Sequence, residues 1–388
     1  MRRVLLILGL EAYAALLAFL QALGGVRTDE AKYLLNIPYP HPPAVRWILS
    51  QLDALPFQEM LVRILFATLM VQAVWVLWDM ARDFPRPKRF LLAGLWLFSG
   101  GVLLQAGTVM MAPLTALEAL IFLWMLQKKI PSVWVGFFWL FSLFTAYQAV
   151  LFFPLVFACL RQHCSIRRSM YYLLVPVVLL ALYTFTNPLI LSSVVTHSNR
   201  DLESSLLDRL LATGRLWTVG GSAILSMLGT WGILRSRRWE LVASFLLVAA
   251  YIAFSRYDYY AVLFLPLFIG GVLAWPKLLL SPRMATVLTA IIGIHLAYSL
   301  FTNQHLSSAR TTVQLLDGMN VQGALLIEGS FGHEWQYESP WEIRRFSEHL
   351  LEDAGVVVCL QTCPEWDKRT WRVILFEPEV WVRSKWLS

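Results

Sequence analysis

The chain has 388 residues, of which 58% are hydrophobic and only 15% are charged. This composition is too apolar for a soluble globular protein and predicts a polytopic membrane helix bundle embedded in a lipid bilayer, with spans of roughly 20 residues. The net charge of +7 does not indicate a nucleic-acid partner, because the basic residues recur as short clusters between apolar runs and form no single patch.

The first apolar run, 4–23, follows Arg2 and Arg3. A cleaved signal peptide begins in a similar way, but no small-x-small cleavage site ends this run and more apolar runs follow it. We therefore interpret it as a retained first helix with its N-terminus in the cytoplasm. Residues 24–57 then form the first external loop.

Successive apolar windows, taken in alternating directions, predict about eleven membrane spans. The run 132–160 is too long for one span and lies between two basic loops, so we predict two short helices that turn at 145–148. With this division, the basic clusters at 82–89 and 235–238 both fall on the cytoplasmic side. The predicted spans are 4–23, 58–81, 90–107, 109–127, the two halves of 132–160, 170–190, 216–234, 240–254, 258–276 and 284–302.

The stretch TDEAKYLLNIPYPHPPAVRWIL, residues 28–49, is unusually polar and proline-rich for a segment between two apolar runs. Asp29 and Glu30 are adjacent, so their side chains diverge on any regular element and cannot flank one bond as a glycosidase pair does. One of them could act as a general base in a cavity while the other holds the loop. The alternative is that the start of a loop is acidic because loops are polar.

The prolines of IPYPHPP impose an extended backbone, which suits a segment lying across the membrane interface. Tyr39 and Trp47 are aromatic residues of the kind found there. His41 could contact a phosphate or an acceptor, or it could be an interfacial polar residue.

Two later segments carry further candidate residues. In FSRYDYYAVLFLP, 254–266, Arg256 and Tyr257 would suit a phosphate, although an aromatic belt with a snorkelling arginine has the same pattern. In the predicted external loop 187–215, His197 and Arg200 could contact a substrate or simply be solvated. The chain has no GxxxxGK, HExxH or GxSxG motif, so ordinary nucleotide-dependent chemistry is not supported.

The last stretch, 303–388, predicts a small α/β domain on the outer face. Residues 340–355 have helical spacing with Gly355 as the C-cap. This domain could be an acceptor-binding lid or a cap over the membrane part. Short strands are predicted at 324–329, 355–360 and 372–378.

The cysteines divide between the two sides of the membrane under this topology. Cys159 and Cys164 lie at a cytoplasmic edge, where thiols stay reduced. Cys359 and Cys363 lie outside, where they could form a disulfide or remain as two free thiols.

Asp29-Glu30, Tyr33 and the YPHPP segment resemble the first extracytoplasmic loop of the protein O-mannosyltransferase superfamily. This superfamily comprises glycosyltransferase family 39 and its bacterial relatives, among them the lipid A aminoarabinose transferases. Residues 143–157 and 255–268 are similar to two further family segments, and the resemblance covers most of residues 1–300. Relatives often have a lysine at the turn where Ala146-Tyr147-Gln148 stands here.

The resemblance implies the GT-C fold, a mainly α-helical membrane bundle. It implies a membrane domain, 1–302, with a catalytic first external loop, 24–57; the residues at 303–388 form the small extracytoplasmic α/β domain. It also implies an integral protein of a bacterial inner (cytoplasmic) membrane, with the active site on the outer side. The C-terminal domain, which resembles no relative, is placed on the same side by the topology.

The implied reaction is inverting sugar transfer from a polyprenyl-phosphate donor to an acceptor of unknown identity, either a lipid, a glycan or a protein. Asp29 is the expected general base, with Glu30 as second candidate, and both would hold a divalent metal ion if one is required. The expected substrate-binding residues are Tyr33, Tyr39, His41, His197, Arg200, Arg256 and Tyr257.

Two readings without glycosyl transfer stay open beside the enzyme. A lipid or small-solute carrier or flippase should have charged residues along the middle of several spans, and Glu11 and Glu118 are the main acidic examples. A non-catalytic membrane scaffold would need neither these residues nor the acidic loop.

Overall fold

The computed structural model describes residues 2–37, 42–52, 55, 57–187, 190, 205–255, 257–275, 287, 291, 294, 308–319, 321–329, 331–360, 370–376 and 378–383. The chain there is mainly helical, with a five-stranded sheet near the C-terminus. It divides into two compact units. The helical unit comprises Met1–Phe19 and Pro38–Asn303, and the sheet unit comprises Leu20–Ile37 and Gln304–Ser388. This division differs from the predicted one, because Leu20–Ile37 belongs with the C-terminal residues and not with the membrane domain.

The helices from the N-terminus to residue 274 are α1 Arg2–Leu23, α2 Thr28–Leu34, α3 Pro43–Ser50, α4 Gln58–Gln72, α5 Val74–Met80, α6 Arg86–Leu97, α7 Gly100–Gln105, α8 Met111–Lys128, α9 Ser132–Thr145, α10 Phe153–Arg161, α11 Ile166–Thr186, α12 Leu206–Ser236, α13 Trp239–Ser255 and α14 Leu265–Ala274. Two 3-10 helices, Tyr147–Phe152 and Asp258–Phe264, lead into α10 and α14.

Within the described part of the chain, four helical stretches are long and apolar enough to cross a membrane, judged by length and composition. They are Val4–Leu23, Gln58–Met80, Ile166–Thr186 and Leu206–Ser236. Shorter apolar helices cover Ser132–Thr145, Tyr147–Arg161, Trp239–Ser255 and Asp258–Ala274. Several predicted spans are therefore shorter helices or pairs of helices, and the predicted span 284–302 lies almost wholly outside the described residues.

The break predicted at 145–148 is present. Helix α9 ends at Thr145, and Ala146 has an extended backbone with φ −154° and ψ 138°. The 3-10 helix Tyr147–Phe152 then leads directly into α10. Two short helices thus replace the single long one that the apolar run would otherwise form.

Helix α12 corrects the prediction that residues 187–215 are all loop. Ser205 caps the helix through its hydroxyl, which accepts a hydrogen bond from the backbone N–H of Asp208 at 3.2 Å. The leucine-rich turns that follow are helical, so the helix starts about one third of its length before the predicted span.

A break interrupts α12 at Ser222, which has φ 63° and ψ 145°. The hydroxyl of Ser226 donates to the carbonyl oxygen of Trp217 at 2.7 Å and so replaces a hydrogen bond that the break removes. The Ser222 hydroxyl accepts from the N–H of Gly100 at 3.2 Å, at the start of α7. Two helix interruptions, one before α7 and one inside α12, therefore meet inside the helical unit.

Beyond the break, α12 packs closely against α14. A side chain at Gly229 would overlap Phe268, and one at Gly232 would overlap the backbone of Gly271. Small residues at this helix crossing let the two backbones approach, as they do in membrane helix pairs.

The sheet unit contains α15 Ser308–Asp317 and α16 His333–Glu338 besides the strands. Strands β2, β1 and β3 are parallel, while β5 is antiparallel to both β3 and β4, giving the order β2-β1-β3-β5-β4. The strands are β1 Ala324–Glu328, β2 Ile343–Arg345, β3 Ala354–Cys359, β4 Trp371–Phe376 and β5 Glu379–Arg383.

Alternate residues of the central strands enter two different apolar clusters. Leu325, Ile327 and Val358 face one side, where Leu316 and Trp335 also pack. On the opposite side are Leu326, Val357, Cys359, Trp371 and Trp381. Both faces of the sheet are therefore covered, as the period of two along each strand requires.

The predicted helix at 340–355 is wrong. That stretch contains β2, a short 3-10 helix at Glu348–Leu350 and the start of β3. Gly355 is not a helix cap but a strand residue, and a side chain there would overlap the carbonyl oxygen of Gln322. Both β2 and β3 pair with β1, one on each side of it, and this pairing outweighs the local helical spacing of apolar residues.

Candidate functional site

The candidate site begins in the turn between α1 and α2. Gly25 has φ 82°, a left-handed conformation that glycine adopts without strain, and its N–H bonds to the carbonyl of Ala22 at 3.0 Å. Helix α2 starts only three residues later, at Thr28. The acidic pair therefore lies in the first turn of a short helix directly after a membrane-length helix.

Glu30 caps the start of α2. It is only 1% exposed, and its carboxylate accepts a hydrogen bond from the backbone N–H of Arg27 at 2.9 Å. This is the reciprocal half of a capping box, in which the third helical residue bonds to the cap residue. Its local role is to fix the orientation of α2.

Asp29 faces different groups. Its carboxylate forms an ion pair with the Lys32 ammonium at 2.7 Å, and the Asp29 side chain is 28% exposed. Adjacent positions on a helix point about 100° apart, which separates the two carboxylates. Of the pair, Asp29 is the one that an incoming molecule can reach.

The turn before α2 is held by two charged side chains from the C-terminal part of the sheet unit. Glu338, at the end of α16, accepts from the backbone N–H of Val26 at 3.1 Å. Arg310, on α15, pairs with Glu338 at 2.9 Å and also bonds to the carbonyl oxygen of Ala22. We call Arg310 and Glu338 the clasp.

Helix α16 also contacts α2 itself. The Glu334 carboxylate accepts from the Thr28 hydroxyl and from the N–H of Gly332, the latter at 3.1 Å. A side chain at Gly332 would overlap Thr28, so the backbone approaches α2 closely at that point. The start of α2 is thus shaped by residues more than 300 positions away in the chain.

The other predicted substrate-binding residues are only partly described. Tyr33 is buried on α2, in the same unit as Asp29. Tyr257 belongs to the helical unit. Tyr39, His41, His197, Arg200 and Arg256 lie outside the described residues.

Tyr257 belongs to an aromatic cluster that the sequence suggested only in part. Its ring stacks on Tyr259 with centroids 5.4 Å apart, while Tyr260 packs edge-on against Tyr251 at 4.9 Å. The Gln148 amide donates to the hydroxyls of Tyr251 and Tyr260 at 3.0 and 2.8 Å. Gln148, just after the break at Ala146, therefore holds two tyrosines of this cluster together.

An ion pair with a fully buried arginine lies in α4, and it is not among the residues predicted from the sequence. Arg63 has 0% side-chain exposure, and its guanidinium donates to Glu59 at 2.8 Å and to the carbonyl of Gly107 at 3.1 Å. An acid and a base four residues apart in an apolar run are a signal that could have found it, because such residues share one helix face.

The exposed apolar side chains of α3 accord with an interfacial segment. Pro43 occupies the first helical position, and Trp47 and Ile48 are exposed. Tryptophan is favoured at the boundary between hydrocarbon and water.

Asp29 and Glu30 are the expected ligands if a divalent metal ion is required, and each carboxylate has a partner in the fold. The Asp29 carboxylate pairs with Lys32, and the Glu30 carboxylate accepts from the backbone N–H of Arg27. Across the described ranges there is no group of three or more His, Cys, Asp or Glu side chains that could hold a metal.

Comparison with protein-family models, with curated proteins and with solved structures finds no match to this chain. Its function must therefore be inferred from the residues themselves.

Proposed function

We propose that this chain is a membrane glycosyltransferase that moves a sugar from a polyprenyl-phosphate donor to an acceptor at the outer face of the membrane. The observation that carries the proposal is the position of Asp29. It is a partly exposed carboxylate in the first turn of a short helix directly after a membrane-length helix.

Asp29 is the proposed general base. It removes a proton from an acceptor hydroxyl or amine, and the acceptor atom bonds to the anomeric carbon as the bond from that carbon to the phosphate oxygen breaks. Polyprenyl phosphate leaves with the bonding electron pair, and the configuration at the anomeric carbon inverts. A positioned base of this kind contributes about 10² to 10⁴ in rate.

Three further features support a lipid-linked substrate outside the cytoplasm. The exposed Trp47 and Ile48 of α3 suit an interface where a lipid donor would lie. Tyr257, whose ring stacks on that of Tyr259, is exposed and offers an aromatic surface to a sugar. Cys359 is disulfide-bonded, which is typical of oxidising compartments, and Cys363, with which it could pair, lies outside the described residues.

The test compares two conservative substitutions in the acidic pair. Asp29→Asn keeps the size of the side chain but removes the base, so we expect transfer from labelled donor in membranes to fall at least about 100-fold. Glu30→Gln keeps an oxygen that can accept from Arg27, as glutamine does in capping boxes, so we expect a loss of less than about threefold. Protein levels measured in the same membranes control for folding. Near-normal transfer by Asp29→Asn would sink the assignment of the base.

A carrier is the second candidate, and two observations favour it. Glu118, on α8, is buried with one carboxylate oxygen that has no hydrogen-bond partner among the described residues. The meeting of two helix interruptions, at Ser99 and Ser222, is also a feature of transporter binding sites. Uptake of labelled donor into vesicles without covalent change would support the carrier over the enzyme.

A further inference from the structure

The clasp joins three parts of the sheet unit that are distant in sequence. Arg310 contacts the last turn of α1 through Ala22, and it contacts the end of α16 through Glu338. A cation at the C-terminal end of a helix also interacts favourably with the helix dipole. Both the hydrogen bond to Ala22 and the helix dipole therefore stabilise the Arg310 guanidinium at the end of α1.

Glu338, which pairs with Arg310, also bonds to the turn that precedes α2. The backbone N–H groups of Val26 and Arg27 both bond to carboxylates, the first to Glu338 and the second to Glu30. Glu30 belongs to α2 itself and moves with it. Glu338 is therefore the carboxylate that ties the turn to the C-terminal part of the unit.

Helix α2 has little independent stability. It has seven residues, and isolated helices shorter than about 12 residues are marginal in water. Besides the capping bond of Glu30, two carboxylates of α16 bond to the start of this segment, Glu338 at Val26 and Glu334 at Thr28. Loss of these contacts should therefore change the orientation of the helix that carries Asp29.

We propose that Arg310 and Glu338 are positioning residues for Asp29, so that the C-terminal domain is a built-in part of the site and neither a lid nor a cap. This inference rests on the proposed function for its catalytic meaning. Its structural content, that the clasp orders residues 24–34, stands without it.

The experiment uses the full-length protein in detergent or nanodiscs and has two readouts. Hydrogen–deuterium exchange follows the peptide covering residues 20–37, and steady-state kinetics with labelled polyprenyl-phosphate sugar gives kcat and the donor KM. The variants are Arg310→Ala, Glu338→Ala and Glu338→Gln. Glutamine keeps an oxygen for the Val26 N–H but loses the charge that pairs with Arg310, so it tests which of the two bonds matters.

The matched control is Arg344→Ala. Arg344 forms an ion pair of the same length, 2.9 Å, with Glu342 in the same unit, but both side chains are well exposed. Hydrogen bonding from Arg344 lowers the pKa of Glu342, so the control also removes a real charge interaction. It differs from the clasp because Arg344 donates to Glu342, an exposed neighbour two residues away in the chain, and not to the turn before α2.

For both alanine variants in the clasp we expect exchange in residues 20–37 to rise roughly tenfold, because the opening of the turn becomes easier. We expect kcat to fall about 10- to 100-fold with the donor KM changed less than about threefold, since a displaced base weakens catalysis more than binding. Glu338→Gln should recover most of the lost kcat, and Arg344→Ala should match wild type.

Unchanged exchange in both clasp variants would overturn the inference, whatever the activity. Faster exchange with an unchanged kcat in a protein that transfers sugar would overturn the positioning role. If the wild-type protein transfers no sugar, the proposed function fails, and the exchange result still decides whether the clasp orders the loop.

Discussion

At the scale of single residues, the acidic pair shows how neighbours in sequence acquire different roles. Asp29 and Glu30 are chemically alike, and the sequence predicts only that their side chains diverge. Their roles differ because their partners differ. Glu30 is buried and accepts from a backbone N–H, whereas Asp29 is partly exposed and pairs with Lys32. The spacing of Glu30 from Arg27 is a capping signal that can be recognised in the sequence once the helix start is known.

Arg63 provides a residue-scale prediction about stability. Its guanidinium is buried, and Arg63→Ala would leave Glu59 without that partner and the carbonyl of Gly107 without its donor. Removing one member of a buried pair typically costs about 3 kcal/mol or more, so we expect the free energy of unfolding to fall by about 3 kcal/mol. Equilibrium unfolding in mixed micelles measures it.

Arg82→Ala is the control for that substitution. Arg82 lies 3.9 Å from Asp83, and the two side chains are 66% and 84% exposed. Exposed pairs contribute little, so the expected loss is below about 0.5 kcal/mol. Equal effects of the two substitutions would show that the burial of Arg63 does not matter.

At the scale of elements, the crossing of α12 and α14 depends on glycine. A side chain at Gly232 would overlap the backbone of Gly271, which cannot move aside as a flexible side chain could. Gly232→Val should therefore lower the free energy of unfolding by about 1 to 3 kcal/mol through overpacking. Thermal unfolding of the detergent-solubilised protein provides the measurement.

Gly214→Ala, in the same helix, is the matched control. A side chain there meets no atom within 4 Å, so only helix propensity changes. We expect stability to stay the same or to rise by up to about 1 kcal/mol. A stable Gly232→Val variant would mean that the two helices do not pack as closely as the glycines allow.

Elements were predicted best where one local signal dominates. The three strands at 324–329, 355–360 and 372–378 match β1, β3 and β4 to within a residue or two, because each is a continuous apolar run. The break at Ala146 is predictable because the apolar run 132–160 is too long for one membrane span. The helix at 340–355 failed because pairing with β1 outweighs a helical spacing of apolar residues, and β5 was missed altogether.

At the scale of the whole molecule, the sequence could not reveal what holds the candidate site. Val26 and Glu338 are 312 positions apart, and no local pattern connects a turn after the first helix with a glutamate near the C-terminus. The sequence placed the loop with the membrane domain. The fold instead groups Leu20–Ile37 with the sheet unit.

This grouping explains why a seven-residue helix can be the central element of the proposed site. A helix of seven residues is too short to be stable alone. The first turn of α2 bonds to Glu334, and the turn before α2 bonds to Glu338. A chemical group that must hold its position during a reaction requires such support from neighbouring residues.

The central claim, that the chain transfers sugar from a lipid-phosphate donor with Asp29 as base, is tested most directly by donor turnover. Purified protein in nanodiscs is incubated with polyprenyl-phosphate sugar labelled in the sugar and with a cell-envelope extract as acceptor source. The account predicts that wild-type protein moves the label out of the donor and releases polyprenyl phosphate in equal amount, and that Asp29→Asn does so at least about 100-fold more slowly. Intact donor with the folded wild-type protein, or equal turnover by both proteins, would contradict it.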